Sequence, residues 1–304
     1  MSGLASVLAR ADRWQRSHRP AAVAYGVIKK FGEDDAHLYV VSLGWYGFVG
    51  IYPLLLAVVT IFGFIGAGSL GHQLTSTLHQ FPVVGSEFNP ARGSPRLHGS
   101  VFGLVIGVAG MIYGAQGVTQ TAQQAMVRMW RIPRTEVPAF LLRLARSLAA
   151  LTVIGGTFLV NAALATYATG SSVDLAVWLP VLLGMVLVNS ALYVAAFRVL
   201  TPSAITTRSL VPGAVVAALG FTFLITLGSG LIQHQLRSSS TTYGQFGAVI
   251  GLVAFLFLLG TISLYGAELN PVLARKLWPR GLQASHPTEV DEQVAQDATP
   301  RSGP

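Results

Sequence analysis

The chain has 304 residues, of which 52% are hydrophobic and 11% charged. An ordinary soluble domain carries about 25% charged residues, so a soluble protein of this composition would lack the polar groups to cover its surface. The absence of cysteine excludes disulfides, thiolate catalysis and cysteine metal sites.

In chain order, residues 1–37 come first, basic and partly amphipathic, and are expected as cytoplasmic helices lying on the membrane surface. Glu33, Asp34 and Asp35 close this segment at the start of the first long apolar run, where acidic groups favour a helix N-terminus. A helix rises about 1.5 Å per residue and a bilayer core is about 30 Å thick, so about 20 apolar residues span it. Six runs meet that length, at residues 38–66, 99–120, 147–168, 175–199, 210–232 and 244–269. The spacing therefore predicts an all-α, polytopic membrane protein with a six-helix transmembrane domain over residues 38–270. An outer segment at 67–98 joins the first two spans and carries Pro82, Pro90 and Pro95. Residues 271–304 are polar and are expected to form a largely disordered cytoplasmic tail.

The charges orient these spans. Seventeen of the 20 Lys and Arg residues fall in the N-terminal segment, the second-to-third and fourth-to-fifth connections, and the tail. Only Arg92, Arg96 and Arg237 fall on the other side. The positive-inside rule then puts both termini in the cytoplasm. The net charge of +8 is accounted for by this asymmetry and by attraction to anionic headgroups, with no nucleic acid required.

Small residues set the packing of lipid-embedded helices. On the second span Gly99, Gly103, Gly107, Gly110, Gly114 and Gly117 recur every three or four residues and share one helical face. In the first span Pro53 interrupts the hydrogen-bond ladder after Gly50, which predicts a kink.

Several segments resemble a known family. The run Gly44-Trp45-Tyr46-Gly47-Phe48-Val49-Gly50-Ile51-Tyr52-Pro53-Leu54-Leu55-Leu56 is similar to the first-span motif of the YihY/BrkB-like inner-membrane proteins, once labelled ribonuclease BN. That family usually has Ser where Gly50 stands and Ala-Tyr where Gly44-Trp45 stands. The segment Gln123–Trp130 resembles its loop after the second span, with Val127 in place of a usual Asn. Pro212-Gly213-Ala214, Tyr243-Gly244 and Gly266-Ala267-Glu268-Leu269-Asn270 resemble the ends of its fifth and sixth spans. The resemblance covers residues 20–275. It implies a bacterial cytoplasmic-membrane protein of poorly defined role, associated with serum resistance and with export of envelope lipid or lipopolysaccharide, for which the ribonuclease label is a misassignment.

The spans hold essentially one acid, Glu268, near the cytoplasmic interface and within reach of Arg275 or a basic loop. Two readings stay open for it, an anchor or a group handling protons or substrate. Gln116, Gln120, Asn161, Asn189 and Asn270 are the further candidates for a polar pathway, with helix-to-helix hydrogen bonding as the plainer reading. Gln116, Gln120 and Glu268 all fall on cytoplasmic halves and would form a vestibule if they converge. The seven histidines are scattered, with no His-Glu-x-x-His pair, acidic metal cluster or phosphate loop, so neither a metal nor a cofactor is expected. The expected activity is that of a transporter or flippase-like exporter of an envelope lipid or amphipathic solute. The alternative is a non-transporting scaffold for envelope assembly. The residues speak against an enzyme and leave the oligomeric state open.

Overall fold

The computed structural model of the chain describes residues 2–65, 101–132, 149, 175–202, 204–238, 244–282 and 287–298. Among them the regular elements are helices, without a strand. They are α1 (Ser2–Ser17), α2 (Arg19–Glu33), α3 (Ala36–Ile65), α4 (Val101–Met129), α5 (Leu175–Leu200), a 3-10 turn (Thr207–Leu210), α6 (Val211–Ser238), α7 (Gly244–Ala274) and α8 (Glu289–Ala298). The outer segment at 67–98, Gly99, and the span expected at 147–168 with Asn161 lie outside the described residues, residue 149 apart.

Among the described residues four stretches are long and apolar enough to cross a membrane: Val101–Met129, Leu179–Leu200, Thr207–Thr226 and Val249–Ala274. Only 11% to 39% of their most apolar windows is buried inside the protein. Phe102, Val105, Leu183, Leu187, Phe223 and Ile250 face outward, an apolar surface that water would not tolerate but lipid does.

Helix α4 runs nine residues past the expected end of its span at residue 120. At about 1.5 Å per residue its 29 residues exceed a bilayer core. The extension carries Gln123, Gln124 and Arg128, while Thr121, Ala122, Ala125, Met126 and Met129 line a buried stripe along it. It continues because one face packs on protein and the other is free to be wet.

The two helices with the most extensive mutual packing are α3 and α4. A Cβ on Gly114 would lie 2.6 Å from the Gly50 Cα, and one on Gly110 would lie 2.6 Å from Pro53 Cβ. A Cβ on Gly117 would overlap the Tyr46 ring. The backbones approach this closely because the side chains are missing. Gly44 and Gly47 face the other way, onto Phe257 and Leu256 of α7. Helix α3 continues through Pro53. Gly107 is buried and Gly103 half-buried on the same helix α4.

The core gathers at one end of the bundle. Phe31, Ala36 and Val40 meet Ala125, Met126, Met129 and Trp130 there, with Phe197, Leu210, Ala214, Ala217, Leu264 and Ala267. The starts of α3 and α6 and the finishes of α4, α5 and α7 therefore share this end.

The tail departs from its expected disorder. Residues 289–298 form α8, and the reason is local. Thr288 and Asp291 make a reciprocal cap, the Thr288 amide donating to Asp291 Oδ2 at 3.0 Å and the Asp291 amide to Thr288 Oγ1 at 3.3 Å. Val294 is buried, and Asp291 ties the helix back to α2.

Candidate functional site

Helix α2 opens with proline in its first turn, where the missing amide costs nothing. Its buried face is Ala22, Gly26, Val27, Lys30 and Phe31. Gly26 lets α2 approach the chain after α7, for a Cβ there would sit 3.0 Å from the Leu277 carbonyl oxygen. The same face carries Lys30 into the bundle, where it is 1% exposed.

Three oxygens surround the Lys30 ammonium. Its Nζ donates to Asp34 Oδ2 one helical turn on and to the Met129 carbonyl at 2.9 Å. Glu268 Oε2 lies 2.9 Å away as an ion contact. Neither Glu268 oxygen meets hydrogen-bond geometry, so this contact is electrostatic. Asp34 is 4% exposed and Glu268 fully buried. Met129 ends α4, so its carbonyl is one of those left without a partner inside the helix, at the negative end of the helix dipole. Arg275 treats α4 similarly by donating to the Trp130 carbonyl. The partner expected for Glu268 from its neighbourhood in the chain, Arg275, is thus engaged elsewhere, and Lys30 takes that place. Taking such charges out of water is expensive unless the pairing is close.

A second layer of charge lies outside the spans. Arg280, 1% exposed, pairs with Glu33 and Asp291. Lys29 pairs with Asp291 at 2.8 Å. Gln15 of α1 donates to the Arg280 carbonyl at 2.6 Å, and the Leu282 amide donates to Asp12 at 3.0 Å. Burial acts to raise the Asp291 carboxyl, but Lys29, the Thr288 and Gly281 amides and Arg280 together hold it well below the usual carboxylate range. Asp12 is likewise lowered: burial opposes, while the Leu282 amide, Gln15 and Arg16 prevail. Tyr25 is raised by burial and then by the charge of Asp291.

Between α5, α6 and α7 runs a line of polar pairs. Asn189 Nδ2 donates to Thr222 Oγ1 at 3.1 Å. The hydroxyls of Tyr193 and Ser263 are 2.9 Å apart. Toward the Lys30 end, Asn270 Oδ1 accepts the Gly213 amide at 2.7 Å, capping one of the free amides at the start of α6. This contact explains Gly213: a Cβ there would overlap the Gly266 carbonyl oxygen.

The candidate polar residues therefore divide. Asn189, Asn270 and Glu268 belong to buried contacts between helices. Gln120 is exposed and Gln116 half-buried, and among the described residues no hydrogen bond joins either to Glu268. Lys30 was missed as a site residue because it reads as one more basic charge. Its signals were present: it recurs four residues after Gly26 on the apolar face of α2 and four before Asp34.

Apolar helices exposed to the outside, with ionisable groups sealed at one end, define a multi-pass membrane protein. The model of the family described as virulence factor BrkB matches residues 27–290, and the chain belongs to that family. A stretch of 111 residues is 32% identical to the "Putative ribonuclease-like protein YfkH" of Bacillus subtilis (strain 168), covering 35% of this chain and 38% of that protein. The chain thus matches well under two thirds of the length of that relative. No solved structure matches the chain.

Proposed function

We propose that this BrkB-family protein is a transporter or flippase-like exporter of an envelope lipid or amphipathic solute. It would act in a bacterial cytoplasmic membrane with six spans and both termini inside. One observation carries the reading: the polar line from Asn189–Thr222 through Tyr193–Ser263 to Asn270 and Glu268 runs along otherwise apolar helices and ends at a sealed ion cluster. Ionisable groups in membrane segments cost enough that they mark pathways more often than ornament. The six-span count is supported by helix direction. Helices α4 and α5 both finish at the Lys30 end, the parallel directions that six spans call for. On α1, exposed Trp14 stands beside exposed Arg10 and Arg13, the chemistry of a helix resting on anionic headgroups.

The decisive experiment is reconstitution into vesicles of native envelope lipids, with labelled lipids or amphipathic solutes scored for movement between leaflets. The expected result is movement above that of protein-free vesicles, diminished by Glu268→Gln. Absence of movement for every lipid and solute would sink the exporter reading.

A scaffold role for envelope assembly is the second reading. It is favoured by the Asn189–Thr222 and Tyr193–Ser263 pairs, which spend polar groups on joining helix to helix. Silent vesicles together with a stable protein partner on affinity capture would favour it. Catalysis is not part of either reading. Among the described residues no three His, Cys, Asp or Glu gather to hold a metal ion. Metal-dependent RNA cleavage by the purified protein, lost on one point substitution, would overturn that.

A further inference from the structure

We propose that Lys30, Asp34 and Glu268 form a proton-binding site, which holds one proton on its two carboxyl groups and keeps α2 seated on α4 and α7 while it is bound. The argument is a count of donors and charges. Of the three N–H groups of an ammonium, two donate here, to Asp34 Oδ2 and the Met129 carbonyl, while Glu268 Oε2 lies 2.9 Å away in ion contact. Among the described residues no hydrogen-bond donor meets either Glu268 oxygen, and both are buried. Two carboxylates and one ammonium leave one negative charge buried within the protein. Two carboxylates sharing such a site do not both stay ionised. A proton taken from water gives a neutral carboxyl and restores balance. It has an entry at the α2–α3 turn, where Asp34 adjoins exposed Glu33 and Asp35.

The other titratable and charged groups on the surrounding elements are largely occupied. On α2, Lys29 pairs with Asp291 and Glu33 with Arg280. Asp35 lies 4.0 Å from Arg128 of α4, both exposed. Arg275, just past the end of α7, is held by the Trp130 carbonyl, and Tyr265 of α7 stacks on Phe31. His37, Lys276 and Arg208 are exposed, while Tyr39 and Arg131 are half-buried. Lys30 is the basic group that the two sealed carboxyls share.

Among the described residues, Lys30 is the charge on α2 that meets both the end of α4 and the end of α7. Loss of the proton leaves Asp34 at the end of α2 and Glu268 on α7 both ionised, repelling each other across one ammonium in a buried place, so rising pH loosens α2. A link between this proton and export rests on the exporter reading; the proton site itself does not.

The test is infrared spectroscopy of the purified full chain in lipid nanodiscs at neutral pH, for wild type, Glu268→Gln and Asp34→Asn. The wild type is expected to show the C=O stretch of about one protonated carboxyl per chain. Each variant leaves one acid facing one Lys, so the band disappears from both. If Glu268→Gln does not fold, Asp34→Asn decides alone. A wild-type spectrum without the band overturns the proposal even if neither variant folds, and so does a band that persists in a folded variant. Vesicles that fail to move lipid while the band behaves as expected would remove the exporter and leave the proton site. Movement without the band would do the reverse.

Discussion

Lys30 is a charge with no access to water, and its three oxygen neighbours come from α2's own turn, the end of α4 and α7. Removing the ammonium strands two carboxyl groups. Lys30→Met is therefore expected to cost about 3–5 kcal/mol, the range for breaking a buried pair from one side. Adding Glu268→Gln should restore part of it. Thermal unfolding in detergent measures both, and an unchanged melting temperature in the single variant would show that the cluster contributes nothing to stability. Glycine positions give a second contrast at this scale. A Cβ at Gly213 overlaps the Gly266 carbonyl oxygen, backbone that cannot rotate away, whereas nothing lies within 4 Å of one at Gly32. Gly213→Ala should lose about 1–3 kcal/mol or fail to accumulate. Gly32→Ala, in the last turn of α2, should be neutral or gain about 0.5–1 kcal/mol from better helix propensity.

Among elements, the α3–α4 pair rests on contact without side chains. Gly50, Gly110 and Gly114 bring the two backbones together around Pro53. Gly114→Val puts branched carbons where the Gly50 Cα now lies, so the helices must part along the whole seam. The expected result is a chain that still inserts but melts at a lower temperature and is cut more readily by protease between α3 and α4. Equal protease resistance in the variant would mean that the seam does not hold the pair. The spacing of these glycines was legible in the sequence, because a three-or-four period marks a face of one helix. Their partner was not, since nothing local to α4 names the helix across the seam. The α8 helix was legible as well, in the Thr288 and Asp291 cap three residues apart, but polar composition masked it.

Over the whole molecule, α8 is held to α2 through Asp291, and this sets a pH response. The folded Asp291 carboxyl is held below its unfolded value, so its contribution is complete above the ordinary carboxylate range. It is lost as pH falls through that range toward the folded value. Hydrogen exchange of residues 289–298 is expected to be slow and flat through neutral pH and to accelerate only in acid. Asp291→Asn should show the fast rate at every pH, because Lys29 and Arg280 then lose their shared partner. Topology is testable at the same scale, and the chain's lack of cysteine makes it clean. In intact cells, a single cysteine replacing Ser76 should react with a membrane-impermeant maleimide. One replacing Ser2 or Ser302 should react only after permeabilisation. Labelling of Ser302→Cys from outside would reverse the orientation.

The sequence by itself determined the medium and the family, and gave the direction as an expectation for labelling to test. Run length, loop charge and short motifs are properties of contiguous residues, and each can be summed without knowing what any helix touches. It also marked Glu268 as the acid out of place. Only the tertiary structure decided that acid's partner. Arg275 is nearer in the chain, yet it turns to the Trp130 carbonyl, while Lys30 arrives from the opposite end of the chain because the small face of α2 seats it against α7. Pairing of buried charge depends on which surfaces pack and which group loses water, and neither is encoded in the spacing of residues along one helix.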